Sequence, residues 1–202
     1  MPLNIQVFFF FFLMLGPFKI IGPFVKITKN ATPAFARKIA VRATIYSSIA
    51  LLIAGLMGEK MLSNFGIPLP ILALSGGIIF FLVALLNIIK QFEPHAGNND
   101  FEASPTLDMA MTPLAFPAIV TPYGIAALIV FLALSPDLNS KLTVGAILLG
   151  IMVLNLIVML LARHIFKPLA IILALLGVIL GVIQVALGTM IIFNQLKTLL
   201  AG

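Results

Sequence analysis

Residues 15–24 read LGPFKIIGPF and lie inside an apolar run of about residues 5–28. The run is long enough to cross a bilayer, which takes roughly 20 residues. Each of the two Gly-Pro pairs removes a backbone N–H and disfavours helix at the residue before proline. Unpaired backbone groups are costly in hydrocarbon, so such a break must be buried in protein or line a cavity. The stretch predicts two half-helices that meet at an unwound segment, residues 16–23, near the midplane. A simple proline kink is the alternative.

The composition is that of an integral membrane protein. Of 202 residues, 62% are apolar and 9% are charged, and the mean hydropathy is +1.23, whereas a soluble domain carries about 25% charged residues. The chain has no cysteine, which excludes disulfides, thiol redox chemistry and thiolate metal sites. We interpret the net charge of +6 as a sign of membrane topology and not as a nucleic-acid surface.

Six apolar spans are predicted within a single transmembrane domain, residues 1–202. They cover about residues 5–28, 39–57, 68–89, 109–134, 142–162 and 168–193. The fourth span is interrupted by prolines, as the first one is. A loop is expected from Gly58 onward, and residues 163–167 are interpreted as the turn before the last span. The N-terminal segment lacks a basic region and a small-residue cleavage site, so it is expected to be part of the first span and not a signal peptide.

The basic residues predict the orientation of these spans. Three alternate connections hold Lys26, Lys29, Arg37, Lys38, Arg42, Lys90, Arg163 and Lys167. The opposite side holds only Lys60, Lys141 and Lys197. Cytoplasmic loops are enriched in lysine and arginine, so the richer side is predicted to be cytoplasmic and both termini to lie outside the cytoplasm, in a prokaryotic inner membrane.

The second half of the chain repeats the first with an offset near 100 residues. PLPILALSGGII at residues 68–79 aligns with PLAIILALLGVI at 168–179, and Pro17 falls on Pro117. Because each unit has three spans, the second unit must lie upside down. We therefore expect an all-α membrane protein of six transmembrane helices in two inverted three-helix repeats, about residues 1–92 and 109–202, joined by a polar cytoplasmic loop of about 91–108. The first and fourth helices are expected to be discontinuous, which is typical of secondary transporters with a midplane site.

Free backbone groups define the chemistry predicted at the two breaks. Residues 22–23 and 121–122 resemble helix starts, whose N–H groups and positive dipole ends bind anions such as a carboxylate. The half-helices ending near Leu15 and Ala115 would present free carbonyls, suited to an ammonium group or a metal cation. Together these ends predict a zwitterionic amino acid as substrate.

The predicted substrate-binding residues come from both breaks, and no catalytic residue, cofactor or resident metal site is predicted. They are Gly16, Pro17, Phe18, Lys19, Ile20, Ile21, Gly22, Pro23, Phe116, Pro117, Ala118, Ile119, Val120, Thr121, Pro122, Tyr123 and Gly124. Among them the aromatic side chains of Phe18, Phe116 and Tyr123 could wall a small pocket.

Lys19 is the only charge deep in a span. It either helps to neutralise a carboxylate or acts as an internal cation competing with a coupling ion. Alternatively, it reaches along the break to water or caps carbonyls of the neighbouring half-helix, and the sequence leaves these interpretations open. Asn87, Asn155 and Gln184 are lone polar residues in spans, and we predict that they bond across helices rather than bind a ligand.

The chain resembles the MarC family over nearly its whole length. The resemblance rests on the proline-broken first span, on the segments FGIP and ALSGG within residues 65–77, on PLAFP and TPYGIA within 113–126, and on Gly177, Gly181 and Gly188. It implies six spans in two inverted halves, and some members transport small neutral amino acids such as glycine and alanine, driven by a cation gradient. This sequence departs from the commoner pattern at Gly16, at Lys19 and at residues 121–123.

Three classes of function remain open at this point. The first is a carrier of small neutral amino acids that works by alternating access and is coupled to H⁺ or Na⁺. The second is an exporter or channel for another small solute without tight coupling. The third is an intramembrane enzyme or a structural subunit, and the spans lack the clusters of His, Cys, Asp and Glu that an enzyme would need. The expected partners are a small zwitterionic amino acid, a coupling cation and the lipid bilayer, with no nucleic acid and with homo-oligomer formation left open.

Overall fold

The computed structural model describes residues 3–92, 105–135 and 137–201, and the regular structure in these ranges is helical. The α-helices are α1 (Leu3–Leu15), α2 (Phe18–Ile27), α3 (Pro33–Asn64), α4 (Leu69–Phe92), α5 (Pro122–Ala133) and α6 (Leu138–Ala201). A short 3₁₀ turn, Leu107–Ala110, and a π-helical segment, Met111–Ile119, precede α5.

Five helical stretches within the described ranges are long and apolar enough to cross a bilayer. Residues Leu107–Ile119 and helix α5 meet at a bend and make a sixth if they count as one span. Large apolar side chains also face outward, for example Leu56 at 68% exposure and Phe193 at 66%. Outward apolar surface on this scale suits lipid, not water. The chain is therefore an all-α protein with five or six apolar helices that can span a membrane.

Helix α3 is longer than the sequence predicted, because the expected loop at Gly58 is helical and the helix ends only at Asn64. The end is set by Gly66, whose φ of +61° is left-handed, and by a hydrogen bond of 3.2 Å from the Ile67 N–H to the Leu62 carbonyl. This pattern is the Schellman motif, in which glycine terminates a helix.

The predicted turn at residues 163–167 lies within α6, where the backbone is helical. Within α6 the two apolar spans are Leu138–Ala162 and Leu175–Ala201. The predicted turn therefore falls between these two spans.

Helix α6 nevertheless folds back on itself. The side-chain amides of Asn155 and Gln184 donate to the carbonyls of Leu15 and Leu13, respectively, each at 2.7 Å. A straight helix would place residues 155 and 184 roughly 43 Å apart, which is too far for both to reach neighbouring carbonyls of α1. The two halves of α6 must therefore reverse direction between these residues, and both halves contact the end of α1.

Helix α4 packs against the second half of α6 in antiparallel fashion. Three glycines lie close to the facing helix: Gly77 near Ile191, Gly188 near Phe81, and Gly181 near Ile88. A Cβ added to any of them would lie 2.6–3.0 Å from the nearest atom of that neighbour. The small-residue positions noted in the sequence thus let these helices approach closely.

Helix α1 lies in the core. Val7, Phe11, Met14 and Leu15 recur at helical spacing and are each at most 3% exposed. The Phe11 ring meets Phe131 of α5 edge to face, with ring centroids 5.6 Å apart. The C-terminal end of α1, where the first Gly-Pro pair begins, is therefore enclosed by other helices.

Candidate functional site

The first break is shorter than predicted. Helix α1 ends at Leu15 and α2 begins at Phe18, with Pro17 as its N-cap residue. The prediction of an unwound segment as far as residue 23, with a helix start at residues 22–23, is wrong, because both residues lie inside α2. A ten-residue helix can accommodate Pro23 at the loss of one backbone hydrogen bond. The N–H groups of Gly22 and Phe24 are accordingly part of a helix and are not free to bind a carboxylate.

The last three carbonyls of α1 are capped, contrary to the prediction of free carbonyls near Leu15. Three consecutive carbonyl oxygens each accept a side-chain donor: Leu13 from Gln184 at 2.7 Å, Met14 from Lys19 at 3.2 Å, and Leu15 from Asn155 at 2.7 Å. The last carbonyls of a helix need such partners when they are buried. The prediction that the two amides bond across helices is confirmed, and the lysine caps the neighbouring helix, which was one of its two interpretations.

The second break contains the helix start that the sequence predicts. Helix α5 begins at Pro122, and the Thr121 hydroxyl accepts a hydrogen bond of 3.2 Å from the Gly124 N–H. The π-helical segment before it ends at Ile119 and meets α5 at a bend of 63°. Proline at the first position and threonine as N-cap are the residues that favour this geometry.

Free backbone groups at the second break differ from the prediction in one respect. The Ala115 carbonyl is not free, because it accepts a hydrogen bond of 2.8 Å from the Val120 N–H. In contrast, the N–H groups of Thr121 and Tyr123 have no backbone acceptor within the described ranges. These two groups therefore remain at the positive end of α5 to bind an anion.

The two breaks meet in the structure. The Lys19 ammonium, at the start of α2, donates to the Tyr123 hydroxyl at the start of α5. A Cβ on Gly124 would lie 2.4 Å from the Leu15 side chain, so the start of α5 lies directly against the end of α1. The two breaks, which the sequence analysis assigned to one site, therefore lie together in the structure.

The aromatic residues of the two breaks do not form one pocket wall. Phe18 and Phe116 are 39% and 37% exposed, whereas Tyr123 is buried and packs against Phe80, with ring centroids 5.2 Å apart. Tyr123 also lines a cavity of about 160 Å³ between α1, α4, α5 and α6, together with Met14 and apolar neighbours. A cavity of roughly 150 Å³ can hold a benzene molecule, so this one has room for a small solute.

Asn155 is the residue whose importance the sequence did not reveal. It is fully buried, and while its amide nitrogen caps Leu15, its oxygen Oδ1 has no partner in the described part of the chain. The buried Ser47 hydroxyl of α3 is unpaired in the same way. An unpaired buried oxygen costs about 1–3 kcal/mol, so it points to a ligand or to bound water. The available sequence signal was only an asparagine within an apolar span.

Metal-binding side chains do not cluster in the described residues, where no group of three or more His, Cys, Asp or Glu could hold an ion. Three of the six acidic residues, Glu93, Asp100 and Glu102, lie outside the described ranges.

Removing the N-cap hydroxyl by Thr121→Val is expected to lower stability by about 1 kcal/mol. For a protein of this size that loss corresponds to a drop in melting temperature of roughly 2–4 °C. Thermal unfolding of detergent-purified protein measures it, and Thr121→Ser, which keeps the hydroxyl, is the control. Equal melting temperatures for the two variants would contradict the assignment of the cap.

Comparison with known proteins identifies the family. A family model described as MarC family integral membrane protein matches residues 1–200. A UPF0056 membrane protein of Methanocaldococcus jannaschii is 33% identical over 143 residues, 69% of each chain. The UPF0056 inner membrane protein YhgN of Escherichia coli is 27% identical over 136 residues, 67% of each chain. The UPF0056 inner membrane protein MarC of Citrobacter koseri is 24% identical over 122 residues, 57% of this chain and 55% of the relative.

No solved structure matches the chain. The inner-membrane names of the relatives agree with the series of long apolar helices. This chain is a multi-pass prokaryotic inner-membrane protein and belongs to the MarC family.

Proposed function

We propose that this protein is a secondary transporter of small neutral amino acids, of the size of glycine or alanine, with its binding site where the two breaks meet. The observation that carries the proposal is the pairing of opposite polar ends at one buried place. Within the described ranges, two N–H groups at the start of α5 have no backbone acceptor, and Oδ1 of Asn155, beside the end of α1, has no hydrogen-bond partner.

The carboxylate of the substrate would bind at the start of α5. Two N–H groups, those of Thr121 and Tyr123, lack backbone acceptors in the described ranges, and they lie at the positive end of the helix dipole. Binding through backbone groups favours the carboxylate that amino acids share and makes no demand on the side chain. Bulky side chains would then be limited by the packing of the surrounding helices.

The ammonium of the substrate would bind the Asn155 oxygen. The carbonyl of Leu15 accepts from Asn155, and the Leu15 side chain contacts the position of a Cβ on Gly124. One residue thus separates the unpaired oxygen from the start of α5. A zwitterionic α-amino acid carries its ammonium and its carboxylate on the same carbon, so it would present opposite charges to these two neighbouring places.

An inverted repeat would supply alternating access, and the packing of α4 on α6 supports such a repeat. Phe81 contacts Gly188, and Ile88 contacts Gly181. With the offset of 100 residues, these two contacts exchange with each other, since position 81 corresponds to 181 and 88 to 188. A two-fold axis requires reciprocal contacts of this kind. We propose that spans one to three and four to six are related by such an axis in the membrane plane, with discontinuous first and fourth spans.

Uptake by proteoliposomes tests the proposed function. Purified protein is reconstituted, and entry of labelled glycine and alanine is measured with imposed pH or Na⁺ gradients and with none. Saturable uptake that unlabelled alanine inhibits supports the carrier. Unsaturable flux of amino acids and unrelated small solutes alike would indicate a channel, and no flux or counterflow of any amino acid would overturn the proposal. We propose no enzymatic activity.

The topology that accompanies this proposal places both termini outside the cytoplasm. Because the chain has no cysteine, single cysteines can be introduced at Asn30, after α2, and at Asn64, at the end of α3. We expect a membrane-impermeant thiol reagent to label Asn30→Cys only from the cytoplasmic side, and Asn64→Cys and Asp137→Cys only from outside. Labelling of the first two from the same side would exclude α3 as a span.

A further inference from the structure

We infer that the ammonium group of Lys19 is a tethered cation that stands in the place of an alkali-metal coupling ion at the end of α1. As a statement about coupling, the inference rests on the proposed transport function. As a statement about ion binding, it can be tested on the protein without any substrate.

The end of α1 is where a cation is expected. The last carbonyls of a buried helix and its negative dipole end attract positive charge, and in transporters the carbonyls at a helix break are the groups that coordinate a coupling ion. Here the Lys19 Nζ lies 3.2 Å from the Met14 carbonyl oxygen and also donates to the Tyr123 hydroxyl. Both partners are oxygen atoms of the kind that a sodium ion would use.

The two carbonyls that flank Met14 already have donors. Those of Leu13 and Leu15 already accept amide donors at 2.7 Å. Displacing either amide would leave a buried N–H group without an acceptor, which is costly in an apolar surrounding. An incoming ion could therefore bind the Met14 carbonyl only by removing the lysine.

Removal of the lysine by a dissolved ion is unfavourable because the ammonium is part of the same chain. Lys19 lies in the first turn of α2, five residues after Met14. A covalently linked group competes at a high effective concentration. Lys19, however, cannot cross the membrane with the substrate. Its charge therefore cannot couple transport to an ion gradient.

The lysine also joins the two halves of the proposed site. Its second partner, Tyr123, belongs to the first turn of α5, beside the N–H groups proposed to hold the carboxylate. The fixed positive charge therefore bridges the end of α1 and the start of α5. A bound coupling ion would have to contact the same two places. Transport by this chain should consequently need no sodium.

Thermal unfolding in detergent tests the inference, with NaCl compared against choline chloride at equal ionic strength. Wild type should show no sodium-specific shift. Lys19→Ala, which exposes the Met14 carbonyl and leaves space beside it, should gain a sodium-specific rise of about 3 °C or more once sodium exceeds the dissociation constant tenfold. Lys19→Arg keeps the cation, and Tyr123→Phe keeps the contact to Met14, so both controls should remain insensitive to sodium.

Two results would overturn the inference: a sodium-specific shift of wild type as large as that of Lys19→Ala, or a folded Lys19→Ala protein without any shift. If Lys19→Ala does not fold, the binding of ²²Na⁺ to wild type in detergent replaces it, and saturable binding would overturn the inference while none would support it. These measurements use no amino acid, so they are independent of a failure of the uptake assay. Where wild type does transport alanine, an imposed Na⁺ gradient should change the initial rate less than twofold.

Discussion

Replacing Gly16 by alanine is expected to abolish the folded protein. A Cβ at this position would stand 1.7 Å from the carbonyl oxygen of Phe12 and 2.7 Å from its carbonyl carbon. Both are backbone atoms of α1, so no change of rotamer relieves the overlap. The chain could accept the methyl group only by moving the end of α1, which carries the three capped carbonyls and the contact with α5.

Gly22→Ala is the matched control for Gly16→Ala, because both glycines precede a proline in the same apolar run. A Cβ on Gly22 would meet no atom within 4 Å, and the residue lies inside α2. We expect its yield of monodisperse protein, measured by size-exclusion chromatography in detergent, to equal that of wild type, while Gly16→Ala gives less than about a tenth. Equal yields for the two variants would show that the close approach at Gly16 is not required.

The difference between these two glycines could not be predicted from the sequence. Both Gly-Pro pairs break the helical pattern equally by local rules, and the first one does separate two helices. The second one is accommodated within α2 because Gly22 and Pro23 are exposed, so tertiary packing demands no break there. The surroundings of a proline, which the local sequence does not contain, decide whether the helix continues through it.

The start of α5 could be predicted because its determinants are local. Thr121 supplies the capping oxygen, Pro122 fits the first helical position, and both effects act within a few residues. The saturation of the α1 carbonyls could not be predicted, because their partners include residues of α6 that lie 140 and 171 positions away. The all-α membrane fold could be predicted from the apolar runs along the sequence, since hydropathy needs no knowledge of contacts.

Asn155→Leu is expected to have the second large effect, this time on transport. Leucine has nearly the shape of asparagine but offers neither the amide that caps the Leu15 carbonyl nor the unpaired Oδ1. A hydrogen bond to a charged group contributes about 1.5–3 kcal/mol. Loss of the contact to the substrate ammonium should therefore weaken binding about 10-fold to 100-fold. Binding of labelled alanine to purified protein and its uptake by proteoliposomes both measure this change.

Gln184→Met separates the two roles of Asn155. Gln184 caps the Leu13 carbonyl at the same distance of 2.7 Å, but no unpaired buried oxygen is found on it. Both variants leave one carbonyl of α1 without its donor, so both should lower the melting temperature by a similar few degrees. Only Asn155→Leu should also lose substrate affinity, with Gln184→Met remaining within about threefold of wild type. If the two variants bind alanine equally well per folded molecule, Asn155 is a structural cap and the ammonium of the substrate binds elsewhere.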